Sequence, residues 1–379
     1  MIIYICVFIL SITFTYFAEK SRNKINFILC SFIAILIPSI LAGIRDSGIG
    51  TDTQVYVDSS WYIIETYANQ PITIFIKDIL NNNIQLEIAY NLIGYCIAVL
   101  GGNIHWFYFI LNFIVLLFVY LTINDNKHNA SMSLMMFVFL FTFYNISLNL
   151  VRQSLALSIC SYAYKYIERK QWRNFIIFQV LAILTHNTAF FFILVVPFHF
   201  LLESKRTVLN KYFVYAILLI TPFAFSLSDI IISYLVLVGF LPIHFLNYTT
   251  QNAENMIVRS ALVVYLCLWL TMYIGAKYSK ISIFNARKYL SFYFFSSELF
   301  FSSYFSQFAF RISYYFSYLS NIIFIPRLIR LMISKNRPVG LIFKWVICAL
   351  IIFYWYWSIV VHNGNETIPY KSKILDSLM

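Results

Sequence analysis

The sequence predicts an all-α polytopic bundle that crosses a lipid bilayer about 11 to 14 times. Three observations carry this. Hydrophobic residues fill 61% of the 379 positions and charged residues only 11%, where a soluble domain carries about 25%. Apolar runs of about 20 residues recur along the whole length, continuous rather than alternating, which favours helices over a barrel. No polar segment between them is long enough to build a soluble core, so residues 1–379 read as one integral membrane domain.

Taken in order, Ile2–Phe17 is a retained first helix, because it lacks a charged N-region and a cleavage site. Glu19–Lys24 is a basic turn, and Phe27–Leu41 returns from it. Gly43–Leu86 is the longest polar stretch, with Arg45, Asp46, Asp52, Asp58, Glu65 and Asp78. Its aromatic, amphipathic middle, Trp61–Leu80, suits the membrane interface. Further helices are expected at Glu87–Leu100, His105–Thr122, Met132–Asn145, Leu150–Tyr166, Phe175–Thr185, Thr188–Leu202 and Tyr212–Leu227. A second polar loop, Ser228–Asn255, precedes Met256–Ala276, Tyr289–Tyr304, Ile312–Met332 and Leu341–Val361.

The net charge of +12 does not point to nucleic acid. Of the 27 Lys and Arg residues, 19 lie in the first turn and in 165–173, 205–211, 277–288 and 327–344. Cytoplasmic turns concentrate such residues, so these turns are placed inside. Arg45, Arg152, Arg259 and Arg311 then fall on the outer side with most of the acids. Between Gly43 and Met132 the number of crossings must be odd, yet two clear helices are visible. Either Trp61–Leu80 crosses or the Gly101-Gly102 break marks a re-entrant piece. The passage 175–202 is basic at both ends, so it crosses twice. Each arm of about 14 residues reaches roughly 20 Å, against a hydrocarbon core of about 30 Å. This predicts a turn that stops short of the far surface, with His186 recessed at the floor of an outward-facing cavity.

The six cysteines all lie in apolar runs and read as small packing residues. No metal site and no cofactor is expected: HExxH, a DxD pair, Cys/His ligand spacing and a G-x-S-x-G elbow are all missing from the sequence. The remaining candidates are polar groups at helix ends. Arg152, with Gln153 beside it, opens an apolar run, where an ionised group faces a cavity or a partner. Arg311 is expected at the start of the run FRISYYF, with Tyr314 and Tyr315 one turn on. A guanidinium opposes the helix dipole there, and an anionic ligand would resolve the conflict. Arg45, Arg152 and Arg311 together suit a diphosphate, because planar forks of donors match phosphate oxygens. Asp52, in the glycine-rich run Gly43–Asp52, offers a carboxylate as base or as a holder of sugar hydroxyls.

The ordered set GIRDSGIGTDTQVY (Gly43–Tyr56), Glu87, NLVRQSLA (Asn149–Ala156), LTHNTAF (Leu184–Phe190), FRISYYF (Phe310–Phe316) and ETIPY (Glu366–Tyr370) resembles the EpsG-type proteins, which belong with the Wzy-like polymerases. One departure is that Asn187 stands where the family has Ser after His. The resemblance implies a glycosyltransferase of the cytoplasmic membrane whose site faces the periplasm or cell exterior. It would transfer a glycan from undecaprenyl diphosphate to the next lipid-linked repeat unit, in capsule, O-antigen or exopolysaccharide synthesis, with a chain-length-regulating copolymerase as a further partner. Arg152 and Arg311 would hold the diphosphate, with Arg45 assisting. Gln153 and Tyr314 would orient sugars. His186, Asp52 and Glu87 are the candidate bases. Arg152, His186 and Arg311 are expected to share one cavity. The alternatives are a flippase for lipid-linked oligosaccharides, which needs cations through the whole membrane depth, and a membrane acyltransferase, which needs a buried His with an acidic partner.

Overall fold

The computed structural model describes residues 1–81, 84, 87–203, 220–221, 227–239, 255–303 and 306–377. The expected helix Tyr212–Leu227 and most of the loop Ser228–Asn255 lie outside the described residues. Among those described, every regular element is helical. Among the described residues six helices are long and apolar enough to cross a membrane, and four shorter apolar ones accompany them. The chain forms two compact units. One comprises residues 1–190 and 355–379, and the other residues 191–354.

In the first unit, helices α1 (Ile2–Lys20) and α2 (Lys24–Gly43) pack side by side. Asn23 caps α2 by accepting the Ile25 amide at 2.8 Å, a cap worth about 1 kcal/mol. The 43–58 stretch ends in a π-helical turn, Thr53–Asp58. Next come α3 (Ser59–Thr66), α4 (Ile72–Leu80), α5 (Ile88–Val99) and α6 (Ile104–Asp125). Then follow α7 (Met132–Thr142), α8 (Tyr144–Asn149), α9 (Val151–Glu168) and α10 (Trp172–Thr185). Helix α6 packs on α2 and α9, and α10 packs on α9 and α5. The aromatic core includes Phe8, which meets Phe141, Tyr144 and Trp355 edge-on at 5.1, 5.3 and 5.9 Å.

The crossing count between Gly43 and Met132 follows from element lengths. Pro71 separates α3, of 8 residues, from α4, of 9, and α5 has 12. At 1.5 Å per residue these reach about 12, 14 and 18 Å, well short of a hydrocarbon core. Only α6, with 22 residues, is long enough, and one crossing is an odd number. The reading of Trp61–Leu80 as one segment is thereby corrected to two short helices. Contacts at the opposite ends agree with this count. Glu19 accepts Ser131 Oγ at 3.0 Å and the Ser133 amide at 3.1 Å, and Asp125 pairs with Arg169 at 2.6 Å. These bonds join the three turns after α1, α6 and α9 at one level.

The second unit starts in a 3-10 segment, Asn187–Leu194, and continues through α11 (Val195–Glu203) and α12 (Ser228–Leu237). The helices α13 (Asn255–Tyr278), α14 (Ile283–Ser302) and α15 (Gln307–Tyr318) follow. A π-helical turn, Leu319–Phe324, joins α15 to α16 (Ile325–Lys335), and α17 (Arg337–Trp355) comes last. Phe198, Phe295 and Phe316 lie within 4.7–5.9 Å of one another. Residues 309–335 form the most enclosed of the six long apolar helices. One expectation is corrected here. Helix α15 starts at Gln307, so Arg311 sits a full turn inside it, where the dipole of the helix end has faded.

Candidate functional site

Three helix ends of the first unit converge on one carboxylate. Glu87 is the residue before α5, Arg152 lies in the first turn of α9, and His186 follows the last residue of α10 in an extended conformation. Arg152 Nη1 donates to Glu87 Oε2 at 2.6 Å. His186 Nδ1 bonds Glu87 Oε1 at 2.8 Å, and the Asn187 amide donates to the same oxygen at 3.3 Å. An acid before a helix and a histidine after one both suit the helix dipoles. The three side chains are 7%, 15% and 9% exposed for Glu87, Arg152 and His186, so their interactions are only weakly screened by water.

Burial alone would raise the Glu87 pKa. The bonds and charges of His186 and Arg152 outweigh it and hold the carboxyl at about 2. Glu87 is therefore a fixed anion and a poor general base at neutral pH. Its bond to Nδ1 selects the His186 tautomer. In the neutral ring the donor nitrogen is Nδ1 and the basic lone pair sits on Nε2. The Arg152 guanidinium lies 4.9 Å from the Tyr56 ring centre and 5.9 Å from that of Tyr90. Tyr90 is fully buried and shares a 3.0 Å bond with Ser60, whereas Tyr56 is 38% exposed.

The 43–58 stretch supplies a second cluster. Arg45 is only 2% exposed. Its Nη1 donates to the Leu148 carbonyl at 2.7 Å, and its guanidinium lies 4.6 Å over the Tyr108 ring. Thr53 donates to the same carbonyl at 2.7 Å. Desolvation lowers the Arg45 pKa, against the pull of the surrounding tyrosines. Tyr108 and Ser47 both donate to the buried Asp58 carboxylate. The Asp52 amide donates to Asn149 Oδ1 at 2.9 Å. Gly50, at φ +86°, lets the loop approach so closely that a Cβ would come within 2.9 Å of Asn149 Cα. Asn149 stands three residues before Arg152.

The residues expected from sequence thus divide. Glu87, Arg152 and His186 are brought together, and Asp52 is tied to the residue closing α8. Arg45 is enclosed in protein rather than set at an open face. Gln153 is 3% exposed. Arg311 and Tyr314 belong to the second unit. There Tyr314 is 8% exposed, with its ring 4.9 Å from Phe310. Sequence reading missed Tyr56 and Tyr90 beside Arg152, and Tyr108 and Ser47 as donors to Asp58. Among the described residues no three His, Cys, Asp or Glu side chains gather as metal ligands.

A family model described as the EpsG family matches residues 28–372. No curated protein and no solved structure matches the chain.

Proposed function

The chain belongs to the EpsG family, whose members are Wzy-like polymerases, and we propose that it polymerises lipid-linked oligosaccharide repeat units at the outer face of the cytoplasmic membrane. The donor is a glycan on undecaprenyl diphosphate and the acceptor is the next lipid-linked unit. The acceptor hydroxyl attacks the anomeric carbon, a new glycosidic C–O bond forms, and the bond from that carbon to the diphosphate oxygen breaks. His186 Nε2 takes the hydroxyl proton. The lipid diphosphate leaves with the bonding electrons.

The observation that carries this reading is the Arg152 guanidinium fixed by Glu87 beside His186: a buried His with an acidic partner also suits an acyltransferase, but the guanidinium is surplus to one. A carboxylate on Nδ1 orients an imidazole for base catalysis, and the same carboxylate fixes a guanidinium. Positioned donors stabilise a departing diphosphate without reorganising. Glu87 is thus a positioning residue rather than the base. Asp52, held beside Asn149, is proposed to engage sugar hydroxyls. Arg45 acts through the loop that it anchors. Gln153, Tyr314 and Arg311 are proposed as further substrate contacts. For Arg311, substitution by Ala should leave thermal stability close to wild type while repeat units stay unpolymerised on their lipid.

The test is reconstitution of the purified protein in bilayers with a repeat unit on undecaprenyl diphosphate. A ladder of lengthening glycans is expected, and it should be lost in His186→Ala. Unchanged repeat units moved across the bilayer would make the protein a flippase. Acylated repeat units would make it an acyltransferase.

A further inference from the structure

After the last long helix, the chain rejoins the first unit. Residues 363–376 lie back across the 43–53 loop. Tyr4 donates to the Thr367 carbonyl at 2.8 Å, and Asn145, itself held by Trp355, donates to Thr367 Oγ1 at 2.8 Å. Tyr370 donates to the Leu41 carbonyl at 2.6 Å, and Ser372 to that of Ile44. Asp46 ties the far end. Its amide donates to the Lys371 carbonyl at 3.0 Å, and its carboxylate accepts the Lys373 amide at 2.9 Å.

Glu366 makes the link nearest the site. Its carbonyl accepts the Gly50 amide at 3.0 Å, and its carboxylate accepts the Thr51 hydroxyl. The next residue, Asp52, is the one held by Asn149. The π-helical turn that follows carries Tyr56 to the Arg152 guanidinium. Glu366 does this at φ +50°, a left-handed conformation that suits glycine or asparagine and disfavours glutamate. Glycine would adopt that backbone more easily. What glycine lacks is the carboxylate on Thr51.

We propose that residues 363–376 form a strap that sets the 50–56 loop against Arg152, with Glu366 as its positioning residue. The strap spans no membrane, yet it completes the centre from the far end of the chain. The proposal rests on the reading of the Arg152–Glu87–His186 centre as catalytic.

The test compares Glu366→Gly and Glu366→Gln in the full-length protein. Glu366→Gly relieves the backbone and removes the carboxylate. It should keep or raise Tm in detergent, lower kcat for polymerisation at least tenfold, and speed hydrogen exchange at the amides of residues 50–56. Glu366→Gln keeps an acceptor for Thr51 and should restore most of the rate. A lower Tm with unchanged kcat in Glu366→Gly would reduce Glu366 to a structural contact and overturn the proposal. Unaltered exchange at 50–56 would also overturn it. Exchange is read without substrate, so it answers even if the wild-type protein polymerises nothing. In that case the proposed function fails while the strap stands or falls on the exchange data.

Discussion

Glu87 engages Arg152 at 2.6 Å and His186 at 2.8 Å, so each of the three residues can be tested for a different property. Arg152→Lys keeps the charge but replaces a planar fork with a point charge. Polymerisation should fall at least tenfold, about 1.4 kcal/mol in the barrier, while the protein still inserts. Product ladders from the reconstituted variant check this. Glu87 makes a pH prediction. Its carboxyl is held at about 2 against an ordinary 4.5. The folded pKa is the lower one, so the stabilisation is complete above pH 4.5 and is lost as pH falls toward 2. Tm should be flat above about pH 5 and drop below about pH 4. Glu87→Gln should start from a lower Tm, because the Arg152 charge loses its partner, and should show a shallower acid decline. An identical acid decline in wild type and variant would assign the effect to other carboxylates. Arg152 and His186 were legible as polar groups interrupting apolar runs. Their junction on Glu87 was not, because 65 and 99 positions separate the partners and no local pattern encodes such a meeting.

At the scale of the element, continuous apolar runs located the helices well, since a bilayer imposes a minimum length and satisfied backbone bonds. The ends were less legible. Met132–Asn145 proves to be α7 and α8 together, broken at Phe143 and extended to Asn149. Helix α15 begins at Gln307, directly after Ser306, a residue type favoured at helix N-caps, and that local signal was passed over because Arg311 was taken as the start. Close approaches between helices were invisible too, because they depend on what faces a small residue. Gly340 of α17 is one case. A Cβ there would come within 2.5 Å of the Ile333 amide nitrogen and 2.6 Å of its Cα. These are backbone atoms that cannot swing aside as a side chain can. Gly340→Ala should destabilise the protein by about 1–3 kcal/mol, the usual cost of overpacking. Thermal unfolding in detergent against the wild type checks this.

For the whole molecule, the count of crossings before Met132 decides which face holds the centre. Among the described helices between Gly43 and Met132, α3 to α5 are each too short to span and α6 alone is long enough, so the expectation is that the short helices stay at one face and α6 traverses. Cysteines placed at Ser59, Gln70 and the exposed Leu100, in a background without native thiols, should react with an impermeant maleimide from one side of intact cells. A cysteine at Lys127 should react only from the other side. Opposite labelling of positions 59 and 100 would mean that a short helix crosses after all. The expected orientation rests on the basic turns, and the same labelling tests it. The parity of the 43–132 region was not legible, because hydropathy does not report that Pro71 divides an apolar stretch into two pieces too short to span.

The π-helical turn at Thr53–Asp58 carries a consequence for chain length itself. A π turn accommodates one residue more than the α turn it replaces. Deleting a single residue there would leave a regular α-helix that packs about as well. Everything on the N-terminal side of the deletion would then rotate by roughly 100° about the helix axis, the angular step of one α residue. The ring that faces Arg152 would point elsewhere, although every side chain named in the centre were still present. A one-residue gap in this stretch would therefore mark a homologue with a differently built approach to the guanidinium, even where its Arg, Glu and His all align.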